Sequence, residues 1–142
     1  LIIMKDRSKK LIRDFLSNSD EITDGLYAEI EETFGQVPFI FPALSERKEQ
    51  FIFNSLGDLF TGRPESLDPK TAEIASIAAT AACGANQCLG FHIKTALKSG
   101  ILTRNQILDT ILIGAMINRT RCLASSLRTF EKYAGKRGEQ YP

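Results

Sequence analysis

The sequence predicts an all-α protein, a bundle of about six to eight helices. Three observations carry that expectation. Apolar residues recur at steps of three and four along most of the chain, as on one face of a helix. The glycines and prolines fall between these periodic stretches, where helices stop and start. No run rich in Val, Ile or Thr alternates with polar residues between turns, so nothing supports a sheet.

Residues 5–18 place Leu11, Ile12 and Phe15 on one stripe of a strongly basic helix. Asp20 is the expected N-cap of the next, in which Ile22, Leu26, Ile30 and Phe34 follow at i+4 until Gly35 stops it. Its other face is acidic, with Glu21, Asp24, Glu29, Glu31 and Glu32. The two helices read as solvated faces of opposite sign that attract, not as a nucleic-acid arm. Val37 to Pro42 is a kinked aromatic connector holding one short helix up to about Ser45. Residues 47–61 form another helix, with Phe51, Ile52, Leu56 and Phe60 expected inward and Thr61-Gly62-Arg63-Pro64 as its end. Asp68-Pro69 places an N-cap ahead of a proline at the first helical position. Farther on, Thr103 and Gln106 fit a capping box for a helix carrying Ile107, Ile111 and Ala115. A separate final helix is expected to carry Leu123, Leu127, Phe130 and Tyr133, with Gly135 just beyond.

Composition narrows the function. The 142 residues are 43% hydrophobic and 25% charged, which suits one globular domain over residues 1–142 and argues against extensive disorder. Eighteen Lys and Arg against seventeen Asp and Glu give a net charge of +1, too small for an electrostatic nucleic-acid or membrane binder. No apolar run reaches the roughly 18 residues of a membrane span, and no charged-then-apolar leader is evident. Three cysteines are an odd count for a disulfide framework, so a reducing, cytoplasmic setting is expected. One histidine with scattered cysteines is too poor a donor set for zinc, and no Gly-rich loop would cradle a phosphate. No metal, flavin or nucleotide cofactor is therefore expected.

The stretch Ala72–Ile93 carries the chemistry. Glu73 is the one charged residue in a run otherwise apolar or small, which reads as a helix buried on every side, at the centre of a bundle or of an oligomer. Glu73 could equally lie in a first turn and point to solvent. Gly84-Ala85-Asn86 reads as a break, with glycine ending one helix and Asn86 capping the next. Cys88 then stands in a first turn, where free N–H groups and the positive dipole end favour a thiolate. His92 follows one turn on and could take the thiol proton. On an unbroken helix Glu73 would lie about 22 Å from Cys88; only a reversal at Gly84–Asn86 lets Glu73 orient His92.

The spacing Glu73-x11-Ala85-x2-Cys88-x3-His92 resembles the motif of the alkyl hydroperoxidase D / carboxymuconolactone decarboxylase family, Glu-x11-Cys-x2-Cys-x3-His. The resemblance extends to Leu26–Leu44, to Leu67-Asp68-Pro69 and to residues 94–118, covering most of residues 20–134. It implies an all-α fold with a helical hairpin core, assembled into a homo-trimer or homo-hexamer. In the family's thiol branch a cysteine pair, served by a Glu/His proton relay, reduces peroxides or disulfides. Carried over, Glu73 and His92 keep the relay and Cys88 the reactive thiol. Ala85 stands where the first motif cysteine belongs, so the resolving thiol is open. Cys83 could serve if the break brings its Cα within the 4.4–6.8 Å a disulfide needs, and Cys122 or an external thiol are alternatives. Two further readings remain: an oligomer without catalysis, and a decarboxylase-like enzyme using Glu73 and His92 alone. Against the latter, no arginine occurs between Arg63 and Arg104, and Lys94 points elsewhere from His92.

Overall fold

The computed structural model describes residues 5–135; Leu1–Met4 and Lys136–Pro142 lie outside the described residues. Within them the chain is all-helical, with seven helices and no strand. They group into two compact units, one up to Ala72 and one from Glu73 onward.

The first unit holds α1 (Asp6–Ser17), α2 (Ser19–Phe34), α3 (Ile40–Leu44) and α4 (Lys48–Gly62). Its core is aromatic. The Phe51 ring stacks on Tyr27 at 4.6 Å and meets the edge of Phe41 at 5.9 Å, so α2, α3 and α4 converge on one side chain. Ile30 and Ile52 complete the buried set. Gly35 ends α2 in the left-handed region at φ 68°, a conformation glycine adopts without strain.

Four details here differ from expectation. No residue of α1 is buried, and its Phe15 meets Phe53 only at a tilted 6.1 Å. The N-cap of α2 is Asn18, not Asp20, and no side chain caps that end, the Asn18 side-chain amide donating instead to the Asp14 carbonyl of α1. Asp20 lies inside the first turn and pairs with Lys48 of α4, so the acidic face of α2 answers α4 there. Phe60 is 75% exposed, since it stands half a turn around α4 from Phe51. It lines an open groove with Ile22, Leu26, Leu56 and Leu59.

Helix α5 (Pro69–Cys83) starts as the sequence predicts: the Thr71 amide donates to Asp68 Oδ1 at 3.0 Å and the Thr71 hydroxyl to Oδ2 at 2.5 Å. With α6 (Asn86–Ser99) and α7 (Arg104–Ala134) it builds the second unit. Ile77, Ala96, Leu102 and Ile107 form its core, flanked by Leu89, Ile93, Ile101 and Ile111. Gly114 lets α7 pass close to α5: a Cβ there would lie 2.4 Å from the Ala78 carbonyl oxygen. The capping box at Thr103 and Gln106 is present in both directions.

Two expectations fail in this unit. Residues 104–134 are one helix of 31 residues, not two, because no glycine or proline interrupts Asn118-Arg119-Thr120-Arg121. Helix α5 buries one face only; Ile74, Ala75 and Ala79 are exposed within the single chain.

Candidate functional site

The reversal at Gly84 assembles the site. Gly84 adopts φ 73°, and the Ala85 amide returns to the Thr80 carbonyl at 3.0 Å, the six-to-one bond of a Schellman ending. Helix α6 begins at once, with Leu89 N–H donating to the Ala85 carbonyl at 2.8 Å. Its N-cap is therefore Ala85, one residue earlier than the expected Asn86, and no side chain caps that end. Cys88 is the third residue of α6, in its first turn, and is exposed.

Folding back brings the one acid buried among the described residues to the chain's single imidazole. Glu73, 0% exposed, places Oε1 2.8 Å from His92 Nδ1, across nineteen residues of sequence. On a continuous helix those residues would be about 28 Å apart. The solvent-facing alternative for Glu73 is thus set aside. Burying a carboxylate is costly unless a donor meets it, and Nδ1–H is such a donor. A carboxylate at Nδ1 holds the ring proton there and leaves the lone pair on Nε2, the tautomer of a general base. The His92 side chain keeps 17% exposure, so the ring is partly open to solvent while its partner is closed off. The Phe91 ring stands edge-on to the imidazole at 5.3 Å and 82°, a contact the spacing of polar residues gave no hint of.

The cysteines are not brought together in the same way. All three are free thiols. Cys83 closes α5, exposed, its Sγ donating to the Thr80 carbonyl at 3.6 Å. Among the described residues no hydrogen bond joins the Cys88 thiol to the His92 ring. Cys122 lies in the middle of α7, not at the entry to a final helix, with its Sγ 3.9 Å from Asn118 Oδ1. No group of three or more His, Cys, Asp or Glu side chains among the described residues could hold a metal ion. No described helix is long and apolar enough to cross a membrane.

An all-helical chain whose hairpin turn sets a buried carboxylate against an imidazole, with a thiol one turn away, defines a class of helical proteins built on that motif. In comparison with family models, residues 50–131, more than half of the chain, match the carboxymuconolactone decarboxylase family. The chain belongs to that family. Neither the curated proteins nor the solved structures yield a match.

Proposed function

We propose that this chain is a thiol-dependent peroxidase or disulfide reductase in which Glu73 orients His92, His92 deprotonates Cys88, and Cys88 is the nucleophile. The observation that carries the reading is the 2.8 Å contact between Glu73 Oε1 and His92 Nδ1, which prepares Nε2 to accept a proton. Cys88 stands in the first turn of α6, at the end where the helix's unpaired N–H groups gather. Its exposure leaves room for a small peroxide or disulfide and for an external thiol.

With a hydroperoxide the step balances as follows. The thiolate attacks one peroxide oxygen, the O–O bond breaks, and the departing alkoxide takes the proton held on His92, leaving a sulfenic acid and an alcohol. An external thiol condenses with the sulfenic acid, releasing water and forming a mixed disulfide. A second thiol attacks that disulfide and restores Cys88. The external route supports itself on Ala85, which removes the neighbouring motif thiol, and on the Cys83 thiol being turned to the Thr80 carbonyl.

Ala85 also favours a second reading, in which Glu73 and His92 act as an acid–base pair on a non-redox substrate, as the family's decarboxylase name suggests. One experiment separates the two. Alkylation of Cys88 at neutral pH is measured in the wild type, in Cys83→Ser/Cys122→Ser to isolate the signal, and with His92→Ala added. The thiol reading expects a rate at least ~10-fold lower without the imidazole, together with peroxide consumption abolished in Cys88→Ser. Equal alkylation rates, with Cys88→Ser retaining full turnover, would remove Cys88 from the mechanism.

A further inference from the structure

Averaged over the chain the charge is only +1, but it is unevenly spread. Residues 5–17 hold five Lys and Arg against two Asp, a surplus of three positive charges, so the remainder of the chain is net acidic. Helix α1 keeps these charges to one side. At roughly 100° per residue, Leu11, Phe15, Ile12 and Leu16 share an arc of roughly 140° with Ser8, and every charged residue of the helix lies outside it. Arg7 stands at one edge of the arc and Lys9 at the other, with Lys10 and Arg13 behind. No residue of α1 is buried, and Leu11, Ile12 and Leu16 are between 43% and 60% exposed. The Phe15–Phe53 contact joins the exposed ring of Phe53 to the same apolar surface. The cations do not find the acids of α2 that opposite charge leads one to expect. Among the described residues their one ion pair is Lys9 with Asp6 of the same helix, at 3.7 Å.

We propose that α1 lies on anionic lipid surfaces, with its apolar arc at the boundary between headgroups and acyl chains and its Lys and Arg side chains at the phosphates. A short, strongly amphipathic helix of positive charge is what such a surface binds, because apolar burial and headgroup attraction act on the two sides of one element. The edge positions of Arg7 and Lys9 suit this geometry: their methylene stems extend along the apolar arc while the charged ends reach the headgroups. A lipid surface asks for no shape complementarity, which fits a helix that has an exposed apolar side and no groove built around it. At 12 residues α1 is about 18 Å long, too short to span a bilayer, and no described helix is long and apolar enough to do so. The contact is therefore peripheral. Nothing in it depends on the thiol chemistry.

Co-sedimentation of the full chain with vesicles tests it. Vesicles of phosphatidylcholine with roughly a third phosphatidylglycerol are expected to bind the wild type at least ~10-fold more tightly than phosphatidylcholine alone, and the preference should shrink as salt is raised. Leu11→Glu with Ile12→Glu is expected to abolish binding with helical circular dichroism retained, since neither side chain is buried. Lys9→Glu with Arg13→Glu should weaken binding to the mixed vesicles at least ~10-fold. Arg121→Glu with Arg128→Glu makes the same change of net charge on α7 and should leave most of the binding in place. The chain has no tryptophan, so Leu11→Trp supplies a single indole whose emission should shift to the blue on the mixed vesicles only. A wild type that stays in the supernatant with both vesicles would leave α1 to a protein partner and overturn the proposal. So would equal binding to both vesicles, an equal loss in the α7 variant, or an indole whose emission ignores lipid.

Discussion

Glu73 and His92 lie on opposite arms of a helical hairpin, one fully buried and one partly open, held together by a 2.8 Å contact between Oε1 and Nδ1. The contact does two things at once. It supplies a donor to a carboxylate that has lost its water, and it fixes which imidazole nitrogen can receive a proton.

Removing the ring therefore has a structural cost as well as a chemical one. His92→Ala leaves the Glu73 carboxylate buried without its imidazole and is expected to lower unfolding free energy by about 3 kcal/mol at neutral pH. The loss should shrink in acid, because protonating the buried carboxyl removes its charge. Urea unfolding of wild type and variant at neutral and acidic pH checks both parts. An equal loss at both would mean that the charge on Glu73 plays no part.

The two glycines Gly114 and Gly90 should respond in opposite directions to alanine. A Cβ at Gly114 meets the Ala78 backbone at 2.4 Å, which nothing but a shift of α5 or α7 can relieve. Gly114→Ala is expected to destabilise by about 1–3 kcal/mol despite its better helix propensity. Gly90 sits inside α6 with nothing within 4 Å of the added carbon, so Gly90→Ala should stabilise by roughly 0.5–1 kcal/mol. Thermal melts of the two variants decide the matter by their signs.

Asp68 gives a pH dependence. The Thr71 side chain, and then the Thr71 backbone amide, hold its carboxyl below the ordinary 3.8. A carboxyl whose folded pKa is lowered contributes stability that is complete above its unfolded value and is lost as pH falls through the folded one. Melting temperature should accordingly fall through that acidic window, and fall less in Asp68→Asn, which still caps α5 but does not ionise. Identical acid profiles in the two proteins would show the cap to be indifferent to charge.

Ser55 is the unusual polar residue of the first unit. Its hydroxyl is buried with no hydrogen-bond partner, on the face of α4 that carries Phe51 and Ile52. Ser55→Ala removes an unsatisfied group and should be neutral or stabilising by up to about 1 kcal/mol. Chemical denaturation measures it, and a clear loss of stability would contradict the reading of Ser55 as unpaired.

Much of the fold was legible because its punctuation is local. Gly35, Gly84 and the Asp68-Pro69 pair each act through their own backbone conformation, and each ends or starts a helix where the sequence predicts. The fold-back that joins Glu73 to His92 turns at the left-handed Gly84. What escaped was set by distance or by degree. A polar stretch at Asn118–Arg121 weakens the apolar period without supplying a breaker, so a second helix was expected where α7 runs on. Phe60 keeps the i+4 step from Leu56, yet the drift of a 3.6-residue turn carries it away from Phe51. The close passage of Gly114 by Ala78 spans thirty-six positions, and no local pattern announces a contact of that kind.

The Schellman turn at Gly84 has a kinetic corollary. Glu73 and His92 are joined across a loop so short that the entropy of closing it is small, and two helices that nucleate nearby can zip the pair together without waiting for the remainder of the chain. The carboxylate–imidazole contact is thereby built within one short stretch of chain. Lesions far from it are expected to alter how much protein survives while leaving the Glu73–His92 contact intact in each surviving molecule.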